Sequence, residues 1–272
     1  MREAVLQEIL GHLKCYAGKL TENRAGKVAG YPRSFLQPEL FRGRVEKMAR
    51  ARALSGKTRE GKPWLDGFPR MVFISDMGDA LSRGIGFDDL FEEIIKPVIS
   101  PHGAQHIWLW LTKRPERMAK FGAWLVAELG AWPPNLVAMT SVTSQNTAAR
   151  VNALKDVPAH ARGLSVEPLF EPVDLELEGI DWVICGGESG PRAAQFDVLW
   201  ATSLLRQSQL ANAAFFLKQL GSNPKNRGLP LNLKNSHGGD WSEWAAELRV
   251  REVPSLFHQL IASPHCIPAL QP

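Results

Sequence analysis

Cysteine is scarce in this 272-residue chain, which carries Cys15, Cys185 and Cys266 and no others. Three scattered thiols exclude a disulfide framework and a four-cysteine metal site, so a reducing cytoplasm is the expected compartment. Long apolar runs are missing too. No stretch of eighteen uncharged apolar residues occurs, and Arg2, Glu3 and Glu8 stand where a secretory signal would carry a basic segment and then an apolar one. Neither a membrane span nor a signal is expected. The glycines form no GxGxxG opening a helix and no GxxxxGK[ST], so the usual nucleotide loops are excluded. The histidines form no HExxH and no pair at ligand spacing beside a carboxylate, and there is no GxSxG.

What is present suits a globular core: 44% hydrophobic and 22% charged residues, enough for one large domain or two small ones. Lys+Arg 32 against Asp+Glu 28 gives +4. Between Arg42 and Arg70 stand nine basic and three acidic residues, a local 9 − 3 = +6 that leaves 4 − 6 = −2 for the other residues. Such a segment can contact a polyanion such as nucleic acid, although a solvated helix and loop is the commoner reason for it.

Six apolar runs rich in β-branched and aromatic residues recur: Met71–Met77, His106–Thr112, Asn135–Val142, Arg162–Leu169, Asp181–Glu188 and Ala214–Leu220. Their starts are 35, 29, 27, 19 and 33 residues apart. Helical periodicity fills most intervals, over Phe87–Ile99, Pro115–Leu129, Asn146–Val157 and Asp197–Ala211. The 19-residue interval lacks room for a helix, and Glu171–Ile180 is expected to cross as an extended arm. Strands apolar throughout belong to a parallel sheet covered on both faces. The prediction is an α/β fold, a parallel-stranded TIM-like or partial (β/α) barrel, with a doubly wound open sheet as the alternative. Residues 1–252 read as a single domain whose first 70 residues are helical and basic. Val253–Pro272, spotted with proline, is not assigned to the core. Val5, Leu6, Ile9, Leu10, Leu13, Tyr16 and Leu20 follow helical spacing, so Met1–Leu20 reads as an amphipathic helix.

In parallel β/α architecture the strand carboxyl ends share one face, and functional groups collect there. The six runs end on Ser75, Asp76 and Asp79; Thr112, Lys113 and Arg114; Thr140, Ser141 and Thr143; Ser165 and Glu167; Gly186, Gly187, Glu188 and Ser189; and Lys218 with Gln219. Asp76, Lys113, Glu167 and Lys218 are the catalytic candidates. Arg114 and Ser141 are the substrate-binding candidates, Lys113 and Arg114 suiting a phosphate or carboxylate. The aspartates could instead cap turns, and the cations could form structural ion pairs. Glu167 interrupts an apolar run, where a buried charge needs a partner. The Gly186-Gly187 pair lets a ligand approach the backbone, with Glu188 beside it as an acceptor. Cys185 and the tryptophans Trp108 and Trp110 read as core.

The segments VFISDM, LTKRPERM, SVEPL, GIDWVICGGESGPRA, FFLKQLG and GGDWSEWAAELRVRE, in that order, resemble the phage protein family named for gene products thirty-seven and sixty-eight, over roughly Cys15 to Val253. The resemblance implies a radical-SAM-like barrel. Its pattern Cys-x6-Cys-x2-Cys-Tyr-Ala would hold a [4Fe-4S] cluster, and the cluster would hold S-adenosylmethionine for one-electron cleavage. Cys15-Tyr16-Ala17 matches the end of that pattern, but the two earlier cysteine positions are His12 and Val5. The expectation is therefore a degenerate member of phage or prophage type with unknown substrate, through a lost cluster, an upstream start or rearranged first residues. Cys15 would be the remnant metal ligand. If S-adenosylmethionine is the cofactor, Ser165, Glu167, Gly186, Gly187 and Glu188 are expected to hold its methionine or ribose part. A small-molecule or nucleic-acid-derived substrate would fit. The competing expectation is a non-catalytic barrel that binds nucleic acid or another ligand through the rim or the basic segment.

Overall fold

A computed structural model describes residues 39–75 and 78–260 and, before them, residues 18, 21, 23, 24, 27, 28 and 31. The expected helix Met1–Leu20, with Cys15, lies almost wholly outside the described residues, as do Asp76 and residues 261–272. In chain order the elements are α1 (Arg44–Ala49), β1 (Arg70–Ile74), α2 (Phe87–Leu90), a π-helical turn (Phe91–Ile95), α3 (Lys96–Ile99), β2 (His106–Thr112), α4 (Pro115–Leu129), β3 (Leu136–Ser141), α5 (Arg150–Lys155), β4 (Arg162–Val166), β5 (Trp182–Gly186), β6 (Phe196–Asp197), α6 (Val198–Leu210), β7 (Ala214–Gln219), β8 (Pro224–Asn226), β9 (Leu229–Pro230) and α7 (Phe257–Leu260).

Six strands pair all-parallel in the order β1-β2-β3-β4-β5-β7, and the sheet curls into a half-barrel. All six expected runs supply those strands, because a sheet covered on both faces leaves no polar face to obscure the pattern. Alternate residues face opposite ways. Val72, Trp108, Trp110, Leu136, Leu164, Val183 and Phe215 meet Ile94, Met118, Phe121, Leu125, Leu154 and Leu204 of the helices on the convex side. Trp110, Phe121 and Trp132 form an aromatic cluster within it, with Trp110 5.4 Å from Phe121 and 6.1 Å from Trp132. Gly122 is required there, since a Cβ would come 2.6 Å from Pro158 Cδ. Between β1 and β2 the single predicted helix widens into the π-helical turn just ahead of Pro97. Proline donates no N–H to the preceding turn, and a wider turn absorbs that loss.

The arm is extended as expected, with Val173, Leu175 and Leu177 buried. Two glutamines hold it. Gln145 donates to Asp174 O and accepts from Asp174 N, while Gln207 donates to Val173 O and accepts from Leu175 N. Each amide thus supplies the donor and acceptor of a missing strand.

The concave side has its own smaller core of Ile107, Leu109, Val137, Met139, Ala161, Trp182 and Ile184. Phe257 completes it and is fully buried, so the reading of Val253–Pro272 as lying outside the core is corrected at this residue. Proline frequency marked a boundary there; Phe257, in the short helix α7 that follows Pro254, packs instead against Trp182 at 5.6 Å. The region after Gly221, read as loop, also carries β8 and β9, which join β6 in a three-stranded sheet. No helix among the described residues is long and apolar enough to cross a membrane.

Candidate functional site

Strand register arranges the concave face in rows. Phe73, Leu109 and Val137 lie side by side, followed toward the carboxyl ends by Leu111, Met139, Gly163, Trp182 and Ala214. Gly163 leaves room for Met139, whose Cε would lie 3.1 Å from a Cβ there. The next row is Ser141, Ser165, Ile184 and Phe216. Beyond it, Lys218 Nζ lies 2.9 Å from Glu167 Oε2. Within three rows the chemistry passes from apolar through hydroxyl to charged.

The Glu167–Lys218 pair is open on one side, with the Glu167 side chain 17% exposed and that of Lys218 53%. Gly186 makes space for the carboxylate, because a Cβ there would sit 3.3 Å from Glu167 Cδ. Below the pair, Ser141 and Ser165 are partners across β3 and β4 and are more than nine-tenths buried. Neither hydroxyl bonds to another described residue. These two face the concave side, since Val137 and Met139 precede Ser141 on that face and Leu164 and Val166 flank Ser165 on the other.

At the other end of the rim Asp79 is saturated. Its Oδ1 accepts from Leu81 N at 3.0 Å and Thr112 Oγ1 at 2.9 Å, and its Oδ2 accepts from Lys113 N at 3.1 Å and Arg114 Nη1 at 2.8 Å. Arg114, expected either to face a substrate or to form a structural ion pair, is thus ion-paired to Asp79, which the strand ends offered as either a functional or a turn-capping residue. Lys113 is exposed beside it. Ser75, at φ 67°, turns the chain out of β1, and its hydroxyl accepts from Ala80 N.

The GGES loop is occupied with holding two strand ends together. A Cβ on Gly187 would come 2.4 Å from Leu220 O, so the glycine permits close packing of the two loops. Glu188 Oε2 accepts from Ala194 N at 2.7 Å within its own loop. Gln219 Nε2 donates to Gly187 O and Ser189 Oγ. Of the glycine pair, Gly186 is the one that borders the ion pair.

A residue missed by the strand-end reading is Arg251. Its guanidinium carbon lies 4.4 Å from the Trp64 ring centroid, 5.2 Å from Trp241, 5.0 Å from Trp244 and 5.8 Å from Phe216. Its Nε donates to Leu217 O at 3.2 Å, and its Nη2 donates to Lys218 O and Gly239 O, each at 3.0 Å. Burial pushes its pKa below the ordinary arginine value, against the pull of Asp240. Nothing in local spacing marks it, because the contacts come from segments far apart in sequence.

Cys185 belongs to the helix-facing side of β5, and burial, aided by the Glu167 charge, pushes its thiol far up. Among the described residues no group of three His, Cys, Asp or Glu side chains is arranged to hold a metal ion. Much of the basic segment is engaged internally. Arg42 pairs with Asp89 and Glu93, Arg50 with Glu46, Arg59 donates to Leu54 O and Phe68 O, and Arg70 donates to Arg52 O.

These features define a parallel α/β half-barrel protein with a polar rim at the strand carboxyl ends. The chain belongs to the family described as protein of unknown function (DUF5131), whose model matches residues 10–251. No match was found among curated proteins or solved structures.

Proposed function

We propose that this half-barrel is a radical-SAM-like protein of phage type that binds S-adenosylmethionine at its concave rim and lacks the thiolates to cleave it through a cluster. The observation that carries the reading is the order of chemistry across the face. Phe73 on β1 is 45% exposed and offers an aromatic surface to a base. Ser141 and Ser165 on β3 and β4 offer two unengaged hydroxyls to a ribose diol. The Glu167–Lys218 pair presents one charge of each sign to an amino-carboxylate. At ~4.8 Å between strands, β1 to β4 spans about 14 Å, the scale of an extended nucleoside joined to an amino acid. Bound there, the molecule supplies an activated sulfonium. Glu167 would orient its ammonium group, Lys218 its carboxylate, and the small concave core would keep water from its flank.

The cluster does not fit the same way. Iron–sulfur clusters are held by several thiolates, and Cys185 is turned into the helix-facing core. Of the expected motif only Cys15 is present. No step is assigned to a cluster.

Isothermal calorimetry of the full chain with S-adenosylmethionine and S-adenosylhomocysteine tests this reading. Saturable one-to-one binding is expected, weakened about tenfold or more by Glu167→Gln. Anaerobic incubation with iron, sulfide and reductant should yield no methionine. No binding of either nucleoside would overturn the proposal, and cleavage would overturn its second half.

A further inference from the structure

We infer that Arg251 is a positioning residue for the Glu167–Lys218 pair and that it sets the pair from across the open side of the half-barrel. Lys218 is the penultimate residue of β7, the last strand of the sheet, which has no seventh parallel neighbour among the described residues to hold its end. The chain returns instead along that edge, with Leu217 N donating to Val250 O, Glu252 N donating to Phe215 O, and an antiparallel bridge between Phe216 and Arg251. Arg251 then grips two successive carbonyls, those of Leu217 and Lys218, with one fork, and the Gly239 carbonyl with the same Nη2. The direction in which the Lys218 side chain leaves the strand follows from the peptide planes on either side of it, and Arg251 bonds to both.

The grip is itself anchored. Trp64, from the segment ahead of β1, lies over the guanidinium and meets Trp241 at 5.0 Å and Phe216 at 6.2 Å. Phe68, four residues on, stacks on His258 at 4.0 Å. The segment entering the first strand and the segment leaving the last one therefore close on each other around Arg251. A cation so enclosed is held by the ring faces as well as by its hydrogen bonds. Lysine could keep the charge in the cage but could not bond to successive carbonyls as a planar fork does.

The inference rests on the ligand reading only for one of two measurements. The first needs no ligand. Thermal midpoints of Arg251→Lys, Glu167→Gln and the double variant form a cycle. If Arg251 sets the pair, the double variant loses less than the sum of the single losses; strict additivity would overturn the inference. The second compares S-adenosylmethionine affinity in Arg251→Lys and in Trp132→Phe, which removes the Trp132 Nε1 bond to Leu136 O in the convex core and touches neither the carbonyl grip nor its ring cage. Arg251→Lys should bind about fivefold to tenfold more weakly, and Trp132→Phe as the parent does. Equal losses in both would reduce Arg251 to a general structural role and overturn the inference. Additivity in a chain that binds S-adenosylmethionine counts against Arg251 alone. Coupling in a chain that binds none counts against the ligand reading alone.

Discussion

The two ends of the rim carry the same kinds of residue and differ in what remains unspent. At the β1–β2 end, both Asp79 oxygens are filled by Leu81, Thr112, Lys113 and Arg114, all from the protein itself. At the β3–β7 end, Glu167 and Lys218 hold each other, while the hydroxyls of Ser141 and Ser165 beneath them bond to no other described residue. A charged strand end is therefore not a binding site by virtue of charge. The saturated end fixes the path of the chain out of β1 and into α4, and the open end has valence left for another molecule.

The largest expected effect breaks the saturated end. Asp79→Ala should cost about 3 kcal/mol of folding stability, because four donors lose a charged acceptor at once. Denaturant titration would read that loss, while affinity for S-adenosylmethionine should change less than about twofold. Ser165→Ala sharpens the contrast from the other side. Removing a hydroxyl to which no described residue bonds should change stability by less than about 1 kcal/mol, and calorimetry should show affinity falling about tenfold. Equal behaviour of the two variants would erase the distinction between the ends.

The smallest effects are those of pH on the scaffold behind both ends. Burial, with the nearby Arg70 charge, lowers the pKa of His106 against the pull of its bond to Ala49 O. The unfolded imidazole then holds its proton more tightly than the folded one, so stability is full above about pH 6.5 and declines as pH falls below it. Denaturant midpoints at pH 7.5 and 5.5 should differ less in His106→Gln than in the parent. Asp197 answers at lower pH. Burial alone would raise its carboxyl, but N–H bonds from Leu199, Gly228 and Arg227 outweigh it and hold the pKa below the usual range. Its contribution is present above about pH 4 and is lost as pH falls through the lowered value.

Much of this layout is legible in the sequence for one physical reason. A parallel strand buried on both faces reads as an unbroken apolar run, and Pro115 and Asp197 announce the helices that follow. Ser141, Ser165, Glu167, Gly186 and Lys218 stand where those runs end, so their place on the rim is legible too. Run ends cannot separate Arg114, whose partner Asp79 accepts from three further residues, from Lys218, whose partner Glu167 accepts from it alone among the described residues, because pairing is decided between strands and not along them. The same holds for β6, β8 and β9, which are too short to carry a period, and for Arg251, whose four rings come from Trp64, Phe216, Trp241 and Trp244. Phe257 was hidden by the prolines around it.

The glutamine clamps on the arm have a consequence for how this molecule would age in solution. A protease takes its substrate as an extended strand and needs the backbone donors and acceptors of that strand free. The arm already has the required shape, and Gln145 and Gln207 withhold its backbone groups at Val173, Asp174 and Leu175. On the arm both amides contact main chain alone, so they guard it without dictating its side chains. Gln207→Ala should accordingly speed limited proteolysis between residues 171 and 180, visible as two large fragments, well before it lowers the thermal midpoint.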